Sequence, residues 1–133
     1  MGMSHFHDCR VYYQDTDAGG IVYHANYLAF AERARSEALR AMGLPHAKMV
    51  AEHGVMFVVH RINLHYQRPA RLDEVIRITT EFRSIGGASV TLLQHFWRDS
   101  DSLAVLEVAL GCVRVADGKV ARMPAHWAQK LKY

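Results

Sequence analysis

The chain has 133 residues, half of them hydrophobic, which is enough for one domain with a sizeable core and leaves no room for a second. Its formal net charge is only +3 and its Lys and Arg residues are scattered, so nucleic-acid binding is not expected, whereas a polyanionic small molecule would suit this charge. With two cysteines, no signal-peptide pattern and no apolar stretch of about 18 residues, we predict a single domain over residues 1–133, cytoplasmic and without a membrane span.

The first predicted element is a strand in the segment HFHDCR. Alternation along a strand would put His5, His7 and Cys9 on one side, which raises the question of a metal site. The spacings of common zinc motifs, Cys-x-x-Cys and His-Glu-x-x-His, do not occur in the chain. We therefore expect no metal and interpret this segment as an edge strand with solvent-facing histidines.

An acidic loop with two glycines follows this strand. Asp15 and Asp17 precede Gly19 and Gly20, and the loop leads into the only long helical pattern of the chain. A carboxylate placed before a helix often satisfies free N–H groups and the helix dipole. Such a cap needs only one carboxylate, and here there are two.

The long helix is predicted from apolar residues that recur at three- and four-residue intervals. These residues are Tyr27, Phe30, Ala31, Ala34, Ala38, Ala41 and Met42. Because most of them are alanines, this face can lie very close to whatever covers it. Gly43 and Pro45 end the helix, and residues 44–54 are interpreted as a connecting segment.

Strand patterns occupy most of the remaining chain. Alternating apolar and polar residues predict strands over 55–67, 74–85, 88–97 and 103–115, with a short return over 119–122. The dipeptides Gly86-Gly87 and Asp117-Gly118 are signals for tight turns between strands. In the first of these strands one face should carry Val58, Ile62, Leu64 and Tyr66.

Together these elements predict an α+β domain in which a five-stranded or slightly larger antiparallel sheet wraps around one long helix. Such a sheet has an edge strand and more surface than one helix can cover. Pairing with a second copy would satisfy both. We therefore predict a homodimer or a homotetramer.

Two stretches carry a family resemblance: YYQDTDAGGIVYHANYLAFAERAR at residues 12–35 and HYQRPARLDE at residues 65–74. They resemble the 4-hydroxybenzoyl-CoA thioesterase branch of the hotdog superfamily. Within that branch they most resemble the acyl-CoA thioesterases associated with the Tol-Pal envelope system. The resemblance implies the hotdog fold and the hydrolysis of thioesters between an acyl group and coenzyme A or acyl carrier protein, with no cofactor.

The same resemblance implies roles for particular residues. The essential carboxylate falls on Asp17, as nucleophile or general base, with Asp15 in a supporting place. The backbone N–H that polarises the thioester carbonyl falls on His24 at the start of the long helix, while the role of its ring stays open. Substrate contacts are expected from Gly20, Tyr23, Arg68, Arg71 and Ser89.

The chain departs from the aromatic-substrate enzyme of this branch at one turn. Where that enzyme carries basic residues, this chain has Gly86, Gly87 and Ala88. We expect the binding of the CoA phosphates to be weaker there, or to be made by backbone amides, Ser89 and arginines such as Arg68, Arg71 and Arg83.

Two other functions stay open on the sequence. A hotdog hydratase or dehydratase would use an Asp or His pair to move a proton on carbon, but the asymmetric motif usual for those enzymes is not visible. A non-enzymatic module that binds acyl carrier protein or a lipid-synthesis partner would keep the fold and have no need of Asp17. The intact acidic loop favours a thioesterase.

Overall fold

The computed structural model describes residues 4–132. Within this range a short 3-10 turn, Tyr13–Asp15, follows the first strand. The strands and α-helices are β1 (Ser4–Arg10), α1 (Asn26–Ala41), α2 (His46–His53), β2 (Val55–Tyr66), β3 (Val75–Ile85), β4 (Ser89–Arg98), β5 (Asp101–Arg114) and α3 (Ala125–Leu131). None of the helices in the described part of the chain is long and apolar enough to cross a membrane.

The five strands form one antiparallel sheet in the order β1-β3-β4-β5-β2. Hairpin turns join β3, β4 and β5, and the Gly86 N–H closes the first of them by donating to the Ser89 carbonyl at 2.8 Å. The strands β1 and β2 therefore form the two edges. The predicted five-stranded antiparallel sheet is confirmed.

The helix α1 lies on one face of the sheet and buries the alanine-rich face that its sequence predicted. Phe30 and Ala31 are among its buried residues, although Ala41 at the end of the pattern is exposed. The helix packs chiefly on β1 and β3. It therefore covers the part of this face near β1 and β3 and leaves the part near β2 to other elements.

Two short helices replace segments for which no helix was predicted. Residues 44–54 were expected to be a connecting segment, but they contain α2, which ends at Gly54 in a left-handed conformation with φ +64°. Only Met49 of α2 is buried, so its eight residues give no readable helical period. The expected strand over 119–122 is a single bridge between Val113 and Val120, and α3 follows it.

The first strand is an edge strand, as predicted, but its histidines do not face solvent. The alternation puts His5, His7 and Cys9 on the half-buried face and Phe6 on the exposed one. The three side chains do share a face, as the alternation predicted. Residues 4–132 contain no group of three or more side chains that could hold a metal ion.

A bulge in β2 corrects the predicted face of one residue. The pairing with β5 shifts between Val59 and Arg61, which adds one residue and reverses the alternation. Val58 therefore pairs with Gly111 on the outer face, while Ile62 pairs with buried Val108 on the face that carries α1. Val58 and Ile62 do not share a face as predicted.

The inner face of β2 is left largely uncovered. Val59 is 49 % exposed, Ile62 38 % and Tyr66 50 %. All three lie on an edge strand that is rich in apolar residues. An edge strand with exposed apolar side chains and free backbone groups is a pairing surface for another strand. The β1 edge, by contrast, carries charged residues such as Asp8 and Arg10.

Candidate active site

Residues 16–22 form a tight loop between the 3-10 turn and α1. Thr16 and Val22 form an isolated antiparallel bridge, and the Asp17 N–H donates to the Ile21 carbonyl at 2.9 Å. Gly20 has φ +78°, a left-handed conformation that strains residues with a Cβ. The turn therefore favours glycine at this position, and it holds Asp17 exposed to solvent.

The segment between β2 and β3 anchors this loop to the sheet. The Val22 N–H donates to the Ala70 carbonyl at 2.8 Å, and the Leu72 N–H donates to the Gly20 carbonyl at 3.3 Å. Ile21 also forms an isolated bridge with Arg71. The two stretches that carried the family resemblance are thus bound directly to each other.

Asp15 is a structural carboxylate that joins the loop to α1. It is 6 % exposed, and its two oxygens accept hydrogen bonds at 2.8 Å from the Tyr12 N–H and the Asn26 side-chain amide. The Asp15 carbonyl also accepts from the Tyr23 N–H at 2.8 Å. These bonds fix the position of the chain on both sides of Asp17. Asn26 was not predicted as a site residue from the sequence. The available signal was its place in the first turn of α1, close to the acidic loop.

The Asp17 carboxylate is oriented by one of its oxygens. Its Oδ1 accepts from the Gly19 N–H at 2.8 Å, whereas Oδ2 has no hydrogen-bond partner among residues 4–132. An exposed carboxylate with one oxygen held and the other free can either attack an electrophile or take a proton from water.

His24 lies in the turn that leads into α1, two residues before the helix begins. Its side chain is exposed, and its backbone N–H has no acceptor in the described range. Its carbonyl is held from the other side, because the Tyr66 hydroxyl donates to it at 2.7 Å. Tyr66 ends β2, and its contact with His24 was not predicted from the sequence.

A cavity of about 350 Å³ lies beside His24. Its lining is mostly apolar and comprises Ile21, Val22, His24, Tyr27, Tyr66, Gln67, Arg68 and Pro69. The Tyr27 ring packs edge-on against Tyr66 at 5.2 Å, and its hydroxyl accepts the Ala70 N–H at 3.1 Å. Burial raises the pKa of Tyr27, so this phenol stays neutral.

Four of the predicted substrate residues lie at this end of the sheet. Gly20 shapes the loop, and the Tyr23 ring lies 4.4 Å from the His24 ring. Arg68 lines the cavity and forms an exposed ion pair with Asp101 at 2.9 Å. Arg71 is exposed beside the loop through its bridge to Ile21.

Ser89 lies at the opposite end of the sheet, roughly 30 Å away along the strands, so a single chain does not bring it to Asp17. A second cleft of about 620 Å³ lies at that end, and its lining includes Gly86, Gly87, Arg122 and Lys132. A Cβ on Gly87 would come within 2.8 Å of the Arg122 guanidinium, so glycine gives this arginine its room. Sequence reasoning missed Arg122 and Lys132, because neither belongs to a local motif.

Comparison with known proteins gives the same family as the loop sequence. A family model described as the thioesterase-like superfamily matches residues 11–131. The acyl-CoA thioester hydrolase YbgC of Escherichia coli O157:H7 is 43 % identical over 124 residues, which are 92 % of each chain. A probable thioesterase from Bartonella henselae is 33 % identical in its crystal structure, with a TM-score of 0.87 over 92 % of this chain and 100 % of that one.

A more distant solved structure supports the fold alone. It is a mutant of 4-hydroxybenzoyl CoA thioesterase complexed with 4-hydroxybenzoyl CoA, 20 % identical, with a TM-score of 0.89 over 96 % of this chain and 98 % of that one. The predicted hotdog fold is confirmed.

Proposed function

This chain belongs to the thioesterase-like superfamily, and on that premise we propose that it hydrolyses acyl-CoA thioesters to the free acid and CoA at the loop that holds Asp17. The observation that carries this proposal is the backbone N–H of His24. It has no partner within residues 4–132, and it lies beside an apolar cavity just before α1.

The His24 N–H is the proposed oxyanion donor. Hydrolysis of a thioester builds negative charge on the carbonyl oxygen, and an N–H already held in position stabilises that charge without rearrangement. The neighbouring N-terminus of α1 adds a partial positive charge. The hydrogen bond from Tyr66 to the His24 carbonyl keeps this peptide in place.

Asp17 is the proposed catalytic carboxylate. By one route its free oxygen attacks the thioester carbon, forms a mixed anhydride and expels the CoA thiolate, after which water cleaves the anhydride. By the other route it takes a proton from a water molecule that attacks the same carbon. The free Oδ2 supports both routes equally, since Oδ1 stays bound to the Gly19 N–H in each.

The polyanionic end of CoA requires basic groups, and the basic cleft with Arg122 and Lys132 is the proposed place for it. Backbone amides of the Gly86-Gly87 turn and Ser89 lie at the same end of the sheet. Because this end is far from Asp17 in one chain, we propose that the cleft serves the site of a second copy.

The proposed oligomer pairs two β2 edges. A two-fold axis across this edge runs the two strands antiparallel, so the Tyr66 end of one copy meets the Val55 end of the other. The basic cleft lies at the Val55 end, since Val55 pairs with Arg114 and Ala88 accepts from the Cys112 N–H at 2.8 Å. The same pairing would cover Val59 and Ile62. The result is a homodimer, which a homotetramer would contain twice.

We also propose that the protein works in the cytoplasm, in association with the Tol-Pal envelope system, and that acyl carrier protein is an alternative thiol carrier. The family resemblance supports the Tol-Pal association. Cys9 and Cys112 are free thiols, which suits a reducing compartment.

The proposed activity is tested by following free thiol release from acyl-CoA substrates of several chain lengths and from an acyl-acyl carrier protein. We expect turnover of acyl-CoA with stoichiometric release of CoA and acid. A hydratase would change the acyl chain without releasing thiol, and a binding module would do neither. Either of these two outcomes would contradict the proposal.

The role of the His24 ring is separated from that of its N–H by two variants, His24→Ala and Tyr66→Phe. His24→Ala keeps the N–H, so we expect an intermediate loss of kcat, about tenfold. Tyr66→Phe removes the bond that holds the His24 carbonyl, and we expect kcat to fall about tenfold with KM little changed. Steady-state kinetics of thiol release measures both.

The pH-rate profile decides what the ring does. If His24→Ala leaves the profile unchanged, the ring takes no part in proton transfer. A loss of about a hundredfold together with a lost limb of the profile would assign acid-base chemistry to the ring. Wild-type kcat in Tyr66→Phe would contradict the positioning role of Tyr66.

A further inference from the structure

Another cavity, of about 330 Å³, lies between α1, α2 and the sheet. It is separate from the cavity beside His24 and from the basic cleft, and it lies away from the Asp17 loop. Its walls are mostly apolar and are supplied by residues such as Leu39, Phe57, Phe82, Leu92 and Leu110. Its size falls in the range of small-molecule sites. Among this apolar lining there is one buried charged side chain, Arg35.

Arg35 is 7 % exposed and is held by a buried polar network. Its Nη1 donates to Gln94 Oε1 at 3.0 Å. Gln94 is fully buried, and its amide group donates to the Ala31 carbonyl at 2.9 Å and to Thr80 Oγ1 at 3.0 Å. These bonds fix the orientation of Gln94, so its oxygen faces the guanidinium. The guanidinium of Arg35 is therefore held in one position at the edge of the core.

The guanidinium has no carboxylate partner within 4.0 Å among the described residues. It has five N–H donors, and the hydrogen bond to Gln94 uses one. A buried charge without a counterion is costly, and burial lowers the pKa of Arg35. Glu32 also lines the cavity, and its charge partly offsets the effect of burial on the pKa of Arg35, but it is exposed to solvent and lies beyond 4.0 Å from the guanidinium. The charge is thus free to pair with an anion that enters the cavity.

We propose that this cavity binds an aliphatic chain that ends in a carboxylate, with the carboxylate on the Arg35 guanidinium and the chain against the apolar walls. A planar guanidinium matches a carboxylate with two parallel hydrogen bonds. At about 30 Å³ for each water-sized group, the cavity has room for roughly ten non-hydrogen atoms. A medium-chain carboxylate such as octanoate fits this number.

Such a carboxylate has two possible sources. One is a free fatty acid, which is the product of the proposed hydrolysis. The other is the far end of a dicarboxylic acyl group that is still attached to CoA in the site of a second copy. In the proposed β2 pairing, the Met56 end of one strand meets the Tyr66 end of the other, so Met56 and Val59 of the cavity would lie near that site. The binding itself does not depend on the proposed hydrolysis.

Calorimetric titration of the full chain with octanoate tests the site. We expect saturable binding that Arg35→Gln weakens at least tenfold, and at least tenfold weaker binding of octan-1-ol, which has the same chain without the charge. Arg33→Gln removes the same charge from an exposed position two residues away and should bind octanoate like the wild type. Arg35→Lys keeps the charge and should recover part of the affinity.

Each result decides the proposal. No binding of octanoate by the folded wild type overturns it, as does equal binding by Arg35→Gln or by octan-1-ol. Thermal unfolding and sedimentation check that Arg35→Gln is folded and assembled like the wild type. If Arg35→Gln is not folded and assembled like the wild type, Arg35→Lys is used instead. A folded Arg35→Lys protein also overturns the proposal if its affinity for octanoate is no higher than the affinity of the wild type for octan-1-ol.

Thiol release then identifies the source. Preferred turnover of octanedioyl-mono-CoA over octanoyl-CoA, lost in Arg35→Gln, would identify the far end of the substrate. Octanoate binding without that preference would identify the free acid. A failure of thiol release altogether would contradict the proposed function and leave the octanoate result intact.

Discussion

Ile62→Glu is expected to dissociate the protein and to abolish thioester hydrolysis. Ile62 lies on the inner face of the β2 edge and is 38 % exposed in one chain. In the proposed dimer it is covered, and an unpaired carboxylate buried there would cost several kcal/mol. Because the basic cleft and the Asp17 loop lie at opposite ends of one sheet, a separated copy would hold only part of the site. We expect activity to fall at least a hundredfold.

Phe6→Glu is the matched control for this variant. Phe6 is a 63 % exposed apolar residue on β1, the other edge strand, and its ring lies under the Arg77 guanidinium. The same kind of substitution there should leave assembly and turnover unchanged. Sedimentation and thiol release are measured on the same samples over a dilution series. A monomeric Ile62→Glu protein with wild-type turnover would contradict the composite site.

The regular parts of the fold could be predicted because their side chains report which face is buried. In β3, Ile76, Ile78 and Phe82 fall on one side of the alternation in the sequence, and all three are buried. The helix α1 was predicted from its alanine-rich face for the same reason. The helix α2 buries only Met49, so its period could not be recognised. The bulge in β2 depends on the pairing with β5, which no local pattern reports.

The candidate site likewise has residues that the sequence predicted and residues that it did not. Asp17 and His24 belong to one continuous motif within residues 12–35, and the family resemblance of that stretch was enough to single them out. Tyr66 acts on His24 from 42 positions away, and Arg122 meets the Gly86-Gly87 turn only after the chain has folded. Arg35 was not singled out from the sequence, because only the fold shows that it is buried and bonded to Gln94. The residues that the sequence could not predict are therefore those whose surroundings depend on contacts between distant segments.

Asp17→Asn is expected to lower kcat at least a hundredfold while leaving the fold unchanged. The asparagine oxygen can still accept the Gly19 N–H, so the loop should keep its shape. An amide can neither attack a thioester carbon nor accept a proton from water, so both proposed routes lose their essential group. Because the loss falls on the chemical step, KM should change much less than kcat.

If Asp17 carries out thioester hydrolysis, a protein that lacks only its carboxylate should fold and assemble normally and yet fail to release thiol. Thiol release at saturating acyl-CoA is compared between the wild type and Asp17→Asn, after thermal unfolding and sedimentation have shown that both are folded and assembled alike. We expect residual turnover of at most about one per cent in the variant. Turnover close to that of the wild type in a folded, assembled Asp17→Asn protein would contradict it.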